Sequence, residues 1–268
     1  MNHDKGKKVV IITGASKGIG HAAARLLCER GYTVYNLSRS PCDLAGVKSL
    51  ICDVTDRVKL KEAIDDIFAA EQHIDILVNN AGAGIAGSVE KTVSADAKAL
   101  FDLNFFAMFE AIKYTVPYMR TQGYGRIINI GSVAGALQIP FQAFYSASKA
   151  AVEALSNCLR GELAPFNIKV AAIMPGDTST SFTEARKNNF ERNDSDYGNR
   201  ITRSVEIMEN DERSGMPPEK TARVIYKAIT GTNPRPLYTV GFKYKLFLLL
   251  NRILPARLVL FIIGKIYA

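Results

Sequence analysis

Short apolar runs recur along the first two thirds of the chain: Lys8 to Thr13, Val34 to Ser38, Leu50 to Val54, Ile74 to Asn80, Arg126 to Ser132 and Ile168 to Met174. Most are nearly continuous in Val, Ile and Leu rather than alternating, the pattern of strands buried on both faces. Between them the period changes to that of a helix. Ala22 to Arg30 is closed by Gly31, and Leu60, Ile64, Ile67 and Phe68 share one face of a second helix. A long helix is predicted over Ala95 to Met119, where Phe105, Met108, Phe109, Ile112 and Val116 keep helical spacing, and another over Phe144 to Leu163. Strands joined by helical crossovers predict an α/β fold with a single, doubly wound parallel sheet and helices on both faces. No composition shift divides the chain before about residue 176, so one domain is expected.

Two segments carry candidate chemistry. After the first strand come Gly14-Ala15-Ser16-Lys17-Gly18-Ile19-Gly20 and then a helix. In that context backbone amides at a helix N-terminus can hold a pyrophosphate, although the glycines do not follow the G-x-G-x-x-G spacing. Further on, Tyr145 and Lys149 stand four residues apart, on one face of the predicted helix. A lysine charge beside a phenol favours its ionisation, so the pair is a candidate proton-transfer device, whereas an ordinary surface Tyr/Lys pair is the plainer reading.

With these motifs together, the chain resembles the short-chain dehydrogenase/reductase family, from about Lys8 to Gly176. Gly14, Ser16, Lys17, Gly18, Ile19 and Gly20 resemble its nucleotide loop, Asp53 and Val54 its adenine contact, and Asn80, Ala81 and Gly82 part of its turn after the fourth strand. Asn104, Ser132, Tyr145 and Lys149 fall where the family places its catalytic residues, and Pro175, Gly176 and Thr178 resemble its nicotinamide-side loop. The resemblance implies a Rossmann-type fold and hydride transfer between a nicotinamide cofactor and an alcohol or carbonyl carbon. It implies that Tyr145 exchanges the proton, that Lys149 lowers the phenol pKa and binds the nicotinamide ribose, that Ser132 holds the substrate oxygen, and that Asn104 holds a water relaying protons to the lysine. A phenol ionising near neutrality needs a shift of about three units, roughly 4 kcal/mol, which the lysine and the cationic nicotinamide ring together are expected to supply.

The residue after the second strand meets the adenosine ribose, where an acid suits NAD and a base accommodates the phosphate of NADP. Arg39 stands there, with no acid until Asp43, and Lys17 adds a second cation. NADP(H) is therefore the expected cofactor.

Charge and composition change the picture in three places. The net charge of +8 raises nucleic-acid binding as an alternative. Five of the excess cations, Lys243, Lys245, Arg252, Arg257 and Lys265, lie in a tail without acids, interleaved with Leu, Ile and Phe, which argues against it. The tail, 242–268, is read as distinct from a catalytic domain at 1–241. Its apolar runs are interrupted by Arg252, Pro255 and Arg257 and are too short to cross a bilayer. It is expected either to lie as an amphipathic anchor on an anionic membrane surface or to pack over the substrate cleft or a subunit interface. The polar stretch 177–215 has no clear strand and is expected to be a substrate lid, with Phe182, Phe190, Tyr197, Ile201 and Met208 forming an apolar wall.

Cys28, Cys42, Cys52 and Cys158 form no C-x-x-C pair, and Met1 to Lys5 lacks an apolar signal stretch, so reduced thiols and a cytoplasmic location, with peripheral membrane contact as an option, are expected. His3, His21 and His73 are scattered, and no metal site is expected. The long helices carry apolar residues on more than one face, which burial under the sheet would explain, whereas the family resemblance implies a homodimer or homotetramer interface there. Within the family, Tyr145 to Leu155 and Leu159 to Phe166 resemble the hydroxysteroid dehydrogenase branch. A lipophilic secondary alcohol or ketone is therefore expected as substrate, a steroid or bile acid first, and a retinoid or acyl-dihydroxyacetone-phosphate lipid precursor second. A non-catalytic NADP-binding regulator is the reading from another class.

Overall fold

The computed structural model describes residues 7–267, so the readings of Met1 to Lys5, His3 included, lie outside the described residues. The chain begins β1 (Val9–Thr13), α1 (Gly18–Glu29), β2 (Thr33–Ser38), β3 (Val47–Ile51), α2 (Arg57–Glu71) and β4 (Ile76–Asn79). Next come β5 (Ile85–Ala86), α3 (Ser94–Phe101), α4 (Ala107–Gln122), β6 (Gly125–Ile130), α5 (Ala143–Leu163) and β7 (Ile168–Met174). It ends β8 (Lys187–Asn188), α6 (Arg200–Arg213), α7 (Pro218–Thr230), β9 (Leu237–Thr239), α8 (Phe242–Ile253) and α9 (Ala256–Tyr267).

Seven strands form one parallel sheet in the order β3-β2-β1-β4-β6-β7-β9. The doubly wound α/β expectation therefore holds. Alternate residues of one strand feed two cores. Val9 and Ile11 pack with α2, α4 and α5, whereas Val10 and Ile12 pack with α1 and α7. That two-sided burial is why these strands read as unbroken apolar runs. Strand order reverses between β1 and β4, and the crevice outside the strand C-termini there is where such sheets bind ligands.

Local signals account for several boundaries. Asp56 caps α2 by accepting from the amides of Val58 and Lys59. Gly123 ends α4 at φ +74°, a conformation that costs glycine little. Three expectations need correcting. The third strand is Val47–Ile51, not Leu50 to Val54, because Asp53 turns the chain: its carboxylate accepts from the Thr55 amide and hydroxyl. The long helix is interrupted by a π-turn at Asp102–Phe106. The stretch 177–215, read as having no clear strand, holds the short β8, which pairs with β5, and α6.

The tail forms the helical pair α8 and α9. Among the described residues no helix is long and apolar enough to cross a membrane.

Candidate active site

A single continuous cleft of about 1220 Å³ runs along the C-terminal edge of the sheet. At its nucleotide end lie Gly14, Ser16, Lys17, Gly18 and Ile19, followed by Arg39, Asp53, Val54, Asn80, Ala81 and Gly82. At the other end lie Ser132, Tyr145, Lys149, Pro175, Gly176 and Thr178. Gly20 is buried just behind this surface, where a Cβ would collide with the Gly14 carbonyl and the Asn80 amide. Asn80 in turn donates to the carbonyls of Thr13 and Gly14 at 3.0 Å, locking the glycine loop to the end of β4. Gly14 and Gly18 hold φ of +71° and +57°, which turns the loop so that α1 starts at the cleft. Lys17 caps α1 without a side-chain hydrogen bond, leaving first-turn amides for an anion. These features fit a dinucleotide pyrophosphate.

Arg39 is exposed at the end of β2 and its charge helps to hold Asp53 below the usual carboxylate range, after the larger effect of the Thr55 amide. Lys17 is also exposed.

The proton-transfer end is tightly built. Lys149 is buried and its Nζ donates to the Ile130 carbonyl at 2.9 Å, while lying 5.9 Å from the centre of the Tyr145 ring. The two side chains share one face, as their spacing requires. In the cofactor-free cleft, burial dominates both groups. Burial pushes the Tyr145 phenol up to about 12, opposed by its hydrogen bond with Ser132, and the carboxylates of Glu212 and Asp177 add to the rise. Burial pushes Lys149 down to about 8. The expected ionisation near neutrality adds the cationic nicotinamide ring to the lysine charge, so it concerns the cofactor-loaded site.

Asn104 sits in the π-turn. Its amide accepts from the Ala83 N–H at 2.9 Å and donates to the Ala83 carbonyl at 3.0 Å and to Ser148 Oγ at 3.1 Å. The extra residue of the π-turn aims this side chain across to the loop after β4 and to α5. Behind it, Asn79 donates to Asn129 at 2.8 Å, and Asn129 donates to Ser156 of α5 at 2.9 Å. This buried chain of amides fixes α5, and with it Tyr145 and Lys149, against β4 and β6.

The tail closes the cleft. Tyr244 packs on Gly176, where there is no room for a Cβ, and donates to Asp177; Tyr267 donates to Asp211 at 3.0 Å. Phe247, Leu250, Leu254, Ile262, Ile263 and Ile266 give the cleft an apolar roof. Of the expected lid wall, Phe182 and Met208 line the cleft, with Phe182 5.7 Å from the Tyr145 ring, whereas Phe190, Tyr197 and Ile201 pack into a small core with Ala86 and Val205.

Asp177, Asp211 and Glu212 also line the cleft and were not singled out in the sequence. Burial holds Asp177 and Glu212 above the usual carboxylate range, and Glu212 is engaged by Arg186 and Thr183. Asp177 follows the Pro175-Gly176 loop directly, which was a usable signal; Asp211 and Glu212 lay in a charged run that reads as solvated. The fold also brings together His21, Cys42 and Asp43, distant in sequence, with His21 Nε2 2.8 Å from Asp43 Oδ1. Burial raises the Cys42 thiol and Asp43 is exposed, so the contact is a His21–Asp43 hydrogen bond at the surface.

A profile of the short chain dehydrogenase family matches residues 8–191. The 3-ketodihydrosphingosine reductase of Bacteroides thetaiotaomicron is 40% identical over 229 residues, covering 85% of each chain. Dehydrogenase/reductase SDR family member 7B of Xenopus tropicalis is 30% identical over 264 residues, covering 92% of this chain and 82% of that one. A short-chain dehydrogenase structure from Streptomyces avermitilis superposes with a TM-score of 0.82 at 30% identity, covering 92% of both chains. The chain belongs to the short-chain dehydrogenase/reductase family. It is an oxidoreductase of carbinol or keto groups with a fold that binds a nicotinamide cofactor. These relatives do not single out the hydroxysteroid branch; they fit the lipid-precursor expectation better.

Proposed function

We propose that this protein reduces the ketone of a long-chain lipid precursor, a 3-ketosphingoid amino ketone, with NADPH. The observation that carries the reading is the continuity of the cleft: the Tyr145 phenol opens onto an apolar roof made by α8 and α9, which suits an alkyl chain. The 40% identical relative named for 3-ketodihydrosphingosine supports it. So do the cleft carboxylates of Asp177 and Asp211, which suit a cationic amine beside the ketone better than a neutral steroid.

In this reading the bound nicotinamide supplies the hydride. The Ser132 hydroxyl donates to the substrate carbonyl oxygen as negative charge develops there. Tyr145 delivers the proton. A phenol near pKa 12 is protonated at neutral pH, the form a proton donor needs. Lys149, near pKa 8, can carry a proton or bind ribose hydroxyls with little electrostatic cost. Asn104 acts as a positioning residue, holding Ala83 and Ser148 so that α5 faces the cofactor loop. Arg39 and Lys17 line the nucleotide end of the cleft, and two cations there support NADPH over NADH because they suit a 2′-phosphate.

We also propose a homodimer or homotetramer, since Phe106 and Phe109 stand 41% and 40% exposed on the outer side of the π-turn and α4. A cytoplasmic location remains our reading of the cysteine pattern.

The test is NADPH consumption with 3-ketodihydrosphingosine, ketosteroids, oxo bile acids and acyl-dihydroxyacetone phosphate. The reading expects the amino ketone to be reduced with the highest kcat/KM. A preference for steroids would return the hydroxysteroid assignment, and no consumption with any of them would favour a non-catalytic NADP-binding regulator.

A further inference from the structure

The helical pair at the C-terminus has two apolar faces, and the cleft uses only one. On α8 the inner face presents Tyr244, Phe247, Asn251 and Leu254 to the cleft. The opposite face carries Phe242, Leu246, Leu249 and Ile253, spaced four, three and four residues apart, so they form one stripe. Phe242 is 83% exposed, Leu249 53% and Ile253 69%. On α9, Leu260 and Phe261 are 59% and 62% exposed. Neither helix contains a buried residue. Large apolar side chains clustered this densely on a surface mark a contact with something apolar.

Charge identifies the occupant. The tail carries Lys243, Lys245, Arg252, Arg257 and Lys265 and no acid. An isologous contact with a second copy through this face would set cations against the same cations. An anionic bilayer surface is complementary to both features at once: cations meet headgroups while Phe and Leu enter the acyl boundary.

We infer that α8 and α9 dock the protein on anionic membrane lipid through their outer face, while their inner face roofs the cleft. The same two helices then separate the bilayer from the cleft, so a lipid reaches Tyr145 by parting the roof rather than by crossing water. That last step rests on the proposed lipid substrate; the docking does not.

Vesicle co-sedimentation of the full chain tests the docking without any turnover. The full chain is expected to pellet with phosphatidylserine-containing vesicles at least about tenfold more strongly than with phosphatidylcholine alone, and to be released by salt. Leu249→Asp with Phe261→Asp, two residues outside the cleft lining, should lose at least about tenfold in vesicle affinity with an unchanged melting temperature and unchanged mass by light scattering. Lys245→Glu with Arg257→Glu should abolish the preference for phosphatidylserine. A full chain that stays in the supernatant with both vesicle types overturns the inference. So does a Leu249→Asp/Phe261→Asp variant whose assembly dissociates, which would make the face a protein interface. Failure to reduce the amino ketone, with vesicle binding intact, would count against the proposed substrate alone.

Discussion

Lys149→Met is expected to make the cofactor-free protein more stable while removing its activity. The lysine is buried with its ammonium held by one carbonyl, that of Ile130 at 2.9 Å, and burial lowers its pKa from 10.5 to about 8. The unfolded chain therefore holds this proton up to pH about 10.5 and the folded chain only to about 8, so stability rises with pH across that window and the penalty is complete below it. At 1.36 kcal/mol per pKa unit the penalty near pH 7 is about 3 kcal/mol. Methionine keeps the unbranched shape and removes the charge, at the loss of one hydrogen bond, about 1 kcal/mol. The net gain is about 2 kcal/mol, or roughly 4 to 8 °C in melting temperature for a chain of this size. Thermal and urea unfolding without cofactor, at pH 7 and pH 10, would measure it. The gain should be present at pH 7 and nearly gone at pH 10. A variant that is less stable at pH 7, or equally stabilised at both pH values, would refute the burial argument for this residue.

Other perturbations probe the remaining parts. Asn129→Ala should cost about 2 to 3 kcal/mol in urea unfolding, because it strands the buried amide of Asn79 and removes the link to Ser156, whose hydroxyl keeps its bond to the Val152 carbonyl; a loss under about 1 kcal/mol would mean that the amide chain does not fix α5. Arg39→Glu should lower kcat/KM for NADPH by about tenfold or more and leave NADH nearly unchanged, and equal losses with both would remove the 2′-phosphate assignment. Phe106→Asp with Phe109→Asp should reduce the mass measured by light scattering to that of a monomer; an unchanged mass would place the oligomer contact elsewhere.

Most of the fold was legible because the sheet is buried on both sides. β1 and β7 have five and seven residues, nearly all apolar, and their limits fall within a residue of those read from the sequence. β3 was misplaced because it is the half-exposed edge strand, with Lys48 and Ser49 in it, so its apolar signal is diluted. β5 and β8 have two residues each, too few for any period, and the π-turn around Asn104 has no signature in propensity. β9 and α7 were not read at all, although the α7 sequence opens with Pro218 and carries Ala222, Ile225, Ala228 and Ile229 on one face.

The site divides along the same line. Residues in local motifs, the glycine loop and the Tyr145/Lys149 pair, were found where the structure puts them. The cleft acids were not, because Asp211 is held by Tyr267 of α9 and Glu212 by Thr183 and Arg186, contacts between segments apart in sequence. The rise that burial imposes on the Tyr145 phenol in the cofactor-free cleft was not legible either: spacing shows which groups are neighbours and not how much water the roof excludes.

The most direct measurement follows the hydride and the proton together. With NADPH carrying deuterium at the transferable position of the nicotinamide, wild-type protein should convert 3-ketodihydrosphingosine to an amino alcohol one mass unit heavier at the new carbinol carbon, and Tyr145→Phe should bind NADPH yet give no labelled product. An unlabelled product, or labelled product formed at a comparable rate without the Tyr145 phenol, would contradict the account.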